Sequence, residues 1–139
     1  MMFKDVTEKL VELLSTYTAI PIFIGANPPM GSIGIDAEAN TTAISFGNGR
    51  LYEMFVLING KGGDQESVYE ALCDIHDGLN SQFHLATGDA WEIYACETVA
   101  SPHLLGRENS DNEQYLYGSS VRLKIYEEIK NESVNSVRR

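Results

Sequence analysis

Apolar residues at helical spacing open the chain. Phe3, Val6, Leu10, Leu13 and Leu14 recur every three or four positions, with Lys4, Glu8 and Glu12 between them. That spacing lines one face of an α-helix and predicts an amphipathic helix ending near Ser15. AIPIFIG follows, placing Ile20, Ile22 and Ile24 on one side of a short strand. Pro21 cannot donate to a strand ladder, so it predicts an edge or a strand start. ANPPMGS reads as a loop, and Ile33 to Asn40 fits either a short strand or a loop. In TTAISFGNGRLYEMFVLI two β-rich runs flank Asn48-Gly49, the pair a type I′ hairpin turn favours. The second run, Leu51 to Ile58, is apolar on both faces from Met54 onward, which predicts a central strand covered on both sides.

Next comes VLINGKGGDQESVYEAL, an apolar run, a glycine-rich joint and an acid opening an amphipathic segment. It invites comparison with a phosphate-binding loop. A P-loop needs a glycine five positions ahead of its Gly-Lys pair and a Ser or Thr after the Lys. Here Phe55 and Gly62 hold those places, and Gly60-Lys61-Gly62-Gly63 also fails the G-x-G-x-x-G spacing. The reading is a flexible strand-to-helix joint with Asp64 as helix N-cap. Val68, Ala71, Leu72, Ile75 and Leu79 form the buried stripe of that helix, Glu66, Glu70, Asp74 and Asp77 face away, His76 borders the stripe, and Asn80-Ser81 end it.

WEIYACETVA predicts another strand and SPHLLGRENSDNEQ a long polar loop. The last strand is the cleanest: Tyr115, Tyr117, Val121, Leu123 and Ile125 share one parity, Arg122 and Lys124 the other. The order is α-β-(β)-β-β-α-β-β. The expected fold is therefore α+β, a mostly antiparallel sheet of four to five strands packed by two helices. One domain is expected over residues 1–130, with a flexible tail over 131–139.

With 43% hydrophobic and 22% charged residues the composition is that of an ordinary globular domain. No apolar run is long enough to cross a membrane as a helix. Asp5, Glu8 and Glu12 break up the N-terminal segment, so no signal peptide is expected and cytoplasmic synthesis is. Cys73 and Cys96 are then expected as reduced thiols. Cys73 and His76 have metal-ligand spacing on one helix face, but a zinc site needs four ligands and only His84 and His103 remain, so neither metal nor cofactor is expected. A net charge of −10 with scattered basic residues argues against gripping nucleic acid. No nucleophile-and-base signature is present. His103, Arg107 and Glu108 in one loop are the single constellation worth testing for catalysis, and the chain is expected not to be an enzyme. Seven tyrosines, three of them Tyr115, Tyr117 and Tyr126 on the last strand, suit contact surfaces.

Three stretches in order carry a resemblance: the N-terminal helix running into AIPIFIGANPP, then MFVLINGKGGDQESVYEALCDIHDGLN, then SPHLLGRENSDNEQYLYGSSVRLKIY. Together they resemble the minor capsid or tail terminator proteins of long-tailed bacteriophages, over nearly the whole chain. The resemblance implies an α/β subunit that joins others, commonly six, in a ring on the head-proximal end of the tail tube. Such a ring stops tube growth and offers the head connector its docking surface. The implied partners are further copies of the chain, the tail tube protein and a head-completion protein, at the head–tail junction of a virion. DNA would pass through without specific binding, and a non-basic lumen, in keeping with the acidic balance, would let it slide. Rival readings are a stopper or tube subunit of the same connector region and, more remotely, a host adaptor domain or a small hydrolase using His103. A ring needs two different complementary patches on each copy, expected at Leu104, Leu105, Arg107, Tyr115 and Tyr117 and at the hairpin Asn48-Gly49-Arg50.

Overall fold

A computed structural model describes residues 2–38, 43–81, 85–109 and 113–128. Helix α1 (Met2–Leu14) buries Val6, Leu10 and Leu14, one residue per turn along a single stripe. Ser15 and Thr16 stop it by turning their hydroxyls back onto the carbonyls of Val11 and Leu13. Helix α2 (Gln65–Asn80) buries Val68, Ala71, Leu72, Ile75 and Leu79, as its periodicity requires. Asp64 is its N-cap: an extended residue whose carboxylate accepts from the Glu66 amide at 3.2 Å and the Ser67 hydroxyl at 2.6 Å. Those bonds, the Ser67 hydroxyl foremost, hold the Asp64 carboxyl below its ordinary pKa.

Seven strands form one mixed sheet among the described residues: β1 (Ile22–Ile24), β2 (Ser32–Glu38), β3 (Ala43–Phe46), β4 (Gly49–Gly62), β5 (Ala86–Thr87), β6 (Trp91–Asn109) and β7 (Glu113–Glu128). The order is β1-β2-β4-β7-β6-β5, with β3 beside β2 on the same edge of β4. β1 runs parallel to β2 and every other pairing is antiparallel. The fold is thus α+β with two helices, but the sheet has more strands than the expected four to five. The undecided segment from Ile33 is strand β2 as far as Glu38, with Ile33 and Ile35 fully buried opposite Gly60 and Ile58, and its end at Asn40 lies outside the described residues.

Side chains directly opposite one another in antiparallel strands share a face. Met54 lies opposite Leu123, Val56 opposite Val121, and Ile93 opposite Ile125, which puts these residues on the face that both helices cover. α2 approaches closely because Gly60 and Gly62 carry no side chain. A Cβ there would stand 2.8 and 2.7 Å from the methyls of Val68. α1 is tied down by Trp91, whose indole Nε1 donates to Asp5 at 2.7 Å, and by Phe3 packed edge-on against Tyr52. On the opposite face Phe55 and Leu57 are only half-buried, so β4 is fully covered on one side rather than two. Arg122 lies there opposite Phe55 and pairs with Glu97 and Glu53.

Three further expectations are corrected. Gly60 to Gly62 belong to β4, so the joint is only Gly63-Asp64, and the glycines serve helix packing rather than hinging. The first hairpin turns on Gly47-Asn48, with Phe46 opposite Gly49. Only Gly47 has positive φ (59°), the mark of a type II′ turn, so the register sits one residue from the Asn48-Gly49 expectation. The supposed loop from Ser101 is strand for its first nine residues, 101–109, within β6. β6 and β7 form one long hairpin, whose register shifts between Ile93 and Ala95, Thr98 and Ala100, Ala100 and His103, and Leu104 and Gly106. These irregularities erase the two-residue periodicity that would have announced a strand. The tail expected over 131–139 lies outside the described residues.

Candidate functional site

Large apolar side chains are exposed at both ends of the sheet. At the β1 end these are Phe23, Met30 and Ile24, the last 62% exposed. At the other end they are Val99, Leu104 (51%) and Leu105 (52%), all on β6. Leu104 stands opposite Tyr117, which belongs to the helix-covered face: its ring meets Tyr69 of α2 at 5.8 Å and its hydroxyl donates to Gln65 Oε1 at 3.1 Å. Leu105 folds over the backbone of Gly118, where a Cβ would meet it at 2.7 Å. Neighbouring leucines therefore serve opposite faces of the hairpin, as strand alternation requires.

A flank of α2 meets β6 along a row spaced i, i+4, i+7, i+11: Tyr69, Cys73, His76 and Asn80. The Thr98 hydroxyl of β6 accepts from Asn80 Nδ2 at 2.9 Å and lies 2.9 Å from His76 Nδ1. His76, expected at the border of the stripe, is only 5% exposed, and its Nε2 has no hydrogen-bond partner among the described residues. Burial lowers its pKa, against a smaller opposing pull from Asp77. Cys96 is a partly buried thiol whose pKa burial raises to about 12, with Glu97 adding to the rise, so it stays protonated and unreactive. Tyr69 is shifted up as well, chiefly by its hydrogen bond with Cys73.

Charge is distributed unevenly along the chain. Between Lys61 and Arg107 there is no lysine or arginine, while Asp64, Glu66, Glu70, Asp74, Asp77, Asp89, Glu92 and Glu97 all fall in that span. The stretch between Lys61 and Arg107 thus carries a net charge of −8 of the chain's formal −10.

The expected site residues divide. Tyr117 is 8% exposed and serves the core, and Tyr115 is half-buried against it. Arg107 lies opposite Tyr115 on the hairpin, with Leu104 and Leu105 nearby in the same strand. Asn48 and Arg50 are exposed at the far end of β4, at its other extremity from this group, while Gly49 is buried. The structure therefore gathers Leu104, Leu105, Arg107, Tyr115 and Tyr117 and leaves the Asn48-Gly49-Arg50 turn apart. His103 is exposed and its Nδ1 donates to the Ser101 carbonyl at 2.8 Å, while the Glu108 side chain lies outside the described residues. Among the described residues no group of three or more His, Cys, Asp or Glu side chains is arranged to hold a metal. Phe23, Ile24, Met30 and Tyr69 were missed as surface candidates, because apolar periodicity does not tell an exposed end from a packed one.

Two shallow pockets lie away from these patches. One of about 420 Å³ lies between Ile44, Leu51, Tyr94 and Lys124, and one of about 270 Å³ between Trp91, Tyr126 and Glu128. The chain is a mixed-sheet α+β protein with two helices on one face and an apolar patch at each end of the sheet. No protein-family model and no curated protein matches it.

Proposed function

We propose that the chain is a structural subunit of a closed ring, acting as a tail terminator at the head-proximal end of a phage tail tube. The observation that supports this reading most is the pair of unlike apolar patches at opposite ends of one sheet. A ring is built from heterologous contacts, in which one patch of each copy meets a different patch of the next. Phe23, Ile24 and Met30 supply one patch, and Val99, Leu105 and the strand around Arg107 the other. The order of the sequence stretches described above supports the tail-terminator assignment, and the surface character of these residues supports a structural rather than catalytic role. In the ring the chain would contact its own copies, the tube protein and a head-completion protein, with DNA passing through.

Light scattering over a range of concentrations tests this. A ring of six has six times the 15.4 kDa mass of one chain. Ile24→Ser and Leu105→Ser should each reduce the ring population without lowering the melting temperature, since both side chains are exposed. Long hollow fibres in electron micrographs would instead identify a tube subunit. A monomer that fails to bind the ends of tail tubes would remove the terminator reading.

A further inference from the structure

We propose that a pocket beside the first turn of α2 is the seat for Leu104 and Arg107 of a second copy, the leucine entering its apolar walls and the guanidinium meeting Asp64. The inference rests on the ring reading above and names the side chains that join one copy to the next. The pocket, of about 250 Å³, lies between the start of β2, the end of β4 and the start of α2. Ile20, Ile33 and Val68 give it apolar walls, Gly62 and Gly63 add no side chain, and Asp64 stands where α2 begins. An apolar cavity of roughly 150 Å³ takes up a benzene ring, so a leucine side chain fits this one. Gly31 in the pocket wall follows Met30 of the exposed β1-end patch, which makes the pocket a continuation of that patch.

The pocket belongs to the helix-covered side of the sheet, because Ile33 and Val68 are core residues and a Cβ on Gly62 would meet Val68 at 2.7 Å. Lys61 borders it too, but alternates with Gly60 and Gly62 onto the other face, where its ammonium donates to Asn27 Oδ1 at 2.8 Å. Among the described residues the Asp64 carboxylate bonds only within its own helix turn: one oxygen accepts from the Glu66 amide, the other from the Ser67 hydroxyl. A carboxylate offers about four lone-pair sites, so acceptor capacity remains for a guanidinium, and the lowered pKa keeps the group ionised.

The β6 end presents the matching pair. Residues three apart in a regular strand face opposite ways. The register shift between Leu104 and Gly106 instead brings Leu104 and Arg107 to one side: Leu104 stands opposite Tyr117 and Arg107 opposite Tyr115, and both tyrosines pack against the core. Bulges re-aim side chains in this way. Arg107 is also the single lysine or arginine between Lys61 and Arg122, and it follows the exposed Leu104 by three residues. An apolar side chain with a cation beside it thus lies at the β6 end, and apolar walls with a carboxylate beside them lie at the β2 end, both on the helix-covered side. Copies related by rotation about a ring axis keep that side in common, so the same unlike pair repeats from copy to copy.

The test is disulfide trapping between full-length chains that all carry Cys73→Ser. One chain carries Leu104→Cys and the other Ser67→Cys at the pocket rim; both positions are exposed, and circular dichroism checks that each variant is folded. After mild oxidation, the mixture should give a covalent dimer on a non-reducing gel, and either chain alone much less. Leu104→Cys mixed with Glu8→Cys, an exposed position on α1, should give none. Adding Arg107→Glu to the Leu104→Cys chain should cut the yield roughly tenfold, while Arg107→Lys, which keeps the charge, should change it by about twofold or less. No cross-link between Leu104→Cys and Ser67→Cys overturns the seat. So does a strong link between two Leu104→Cys chains, which marks a two-fold dimer, or a yield indifferent to Arg107→Glu. Light scattering on the wild-type chain reads the ring separately. A ring without the cross-link overturns the seat and leaves the ring reading standing, whereas the cross-link without a ring or tube-end binding supports the seat and removes the terminator reading.

Discussion

The base and the arm of the β6–β7 hairpin are built from the same two strands and behave as different materials. At the base, Ile93, Leu123, Ile125 and Val121 are fully buried beneath two helices, and pairs face one another directly. In the arm, from Val99 to Arg107, the register slips repeatedly and the large apolar side chains reach solvent. The difference lies in what covers each part. The base has helices over it and holds a single shift, between Ile93 and Ala95, because an uncompensated one-residue slip would turn its core side chains outward. The arm has little to bury, so bulges are tolerated and its side chains remain available for contact with other molecules.

The largest expected effect breaks this contrast at the base. Leu123→Ala should lower unfolding free energy by about 2–5 kcal/mol, because it empties a packed site. Leu105→Ala in the arm should change it by about 0.5 kcal/mol or less, as exposed positions do. Urea denaturation of both variants checks this, and a similar loss at both positions would mean the arm is as structural as the base.

Acid sharpens the contrast next. His76 joins α2 to β6 just below the arm with a lowered pKa, so the unfolded chain binds its proton more readily than the folded one. Stability from this group is therefore intact above the unfolded value of about 6.5 and declines as pH falls from there toward the folded pKa. Protonation gives both ring nitrogens a hydrogen, and Nε2 has no acceptor among the described residues. His76→Gln should flatten the loss of stability between pH 8 and pH 5, read by denaturant midpoints. An unchanged slope would assign the acid sensitivity to other groups. The smallest effect belongs to Arg122→Ala on the open face, where half-exposed ion pairs with Glu97 and Glu53 are worth about 0–1 kcal/mol together.

The sequence was legible where a single periodicity ran uninterrupted. The stripes of α1 and α2, the alternation from Val121 to Ile125, and the Asp64 cap follow from local rules alone. β2 was undecidable because its apolar residues, Ile33 and Ile35, are two short beats among Gly34, Asp36 and Ala37, and their partner Ile58 lies in a different part of the chain. The strand from Ser101 was hidden by Pro102, Gly106 and the register shifts around them. In the hairpin the true turn pair, Gly47-Asn48, sits beside a stronger turn signal. Burial of His76 depends on Thr98, 22 residues away, which no helical pattern encodes. For the candidate site the leucines and Arg107 were readable as surface residues, but the gathering of Tyr69 and Leu104 over Tyr117 needed the pairing of strands.

β7 is the last strand among the described residues yet lies in the middle of the sheet, between β4 and β6. Gly49 must find Glu128 for the β4–β7 pairing to run its full length. While the chain emerges from the ribosome, β4 and β6 each wait with an unfilled edge, and neither half of the core can close. Folding is thereby deferred until β7 has been made, and long-range pairing of this kind is slow once begun. A chain stopped before β7 loses the keystone of both halves at once and presents two sticky edges, so premature termination should yield aggregates rather than a smaller folded protein.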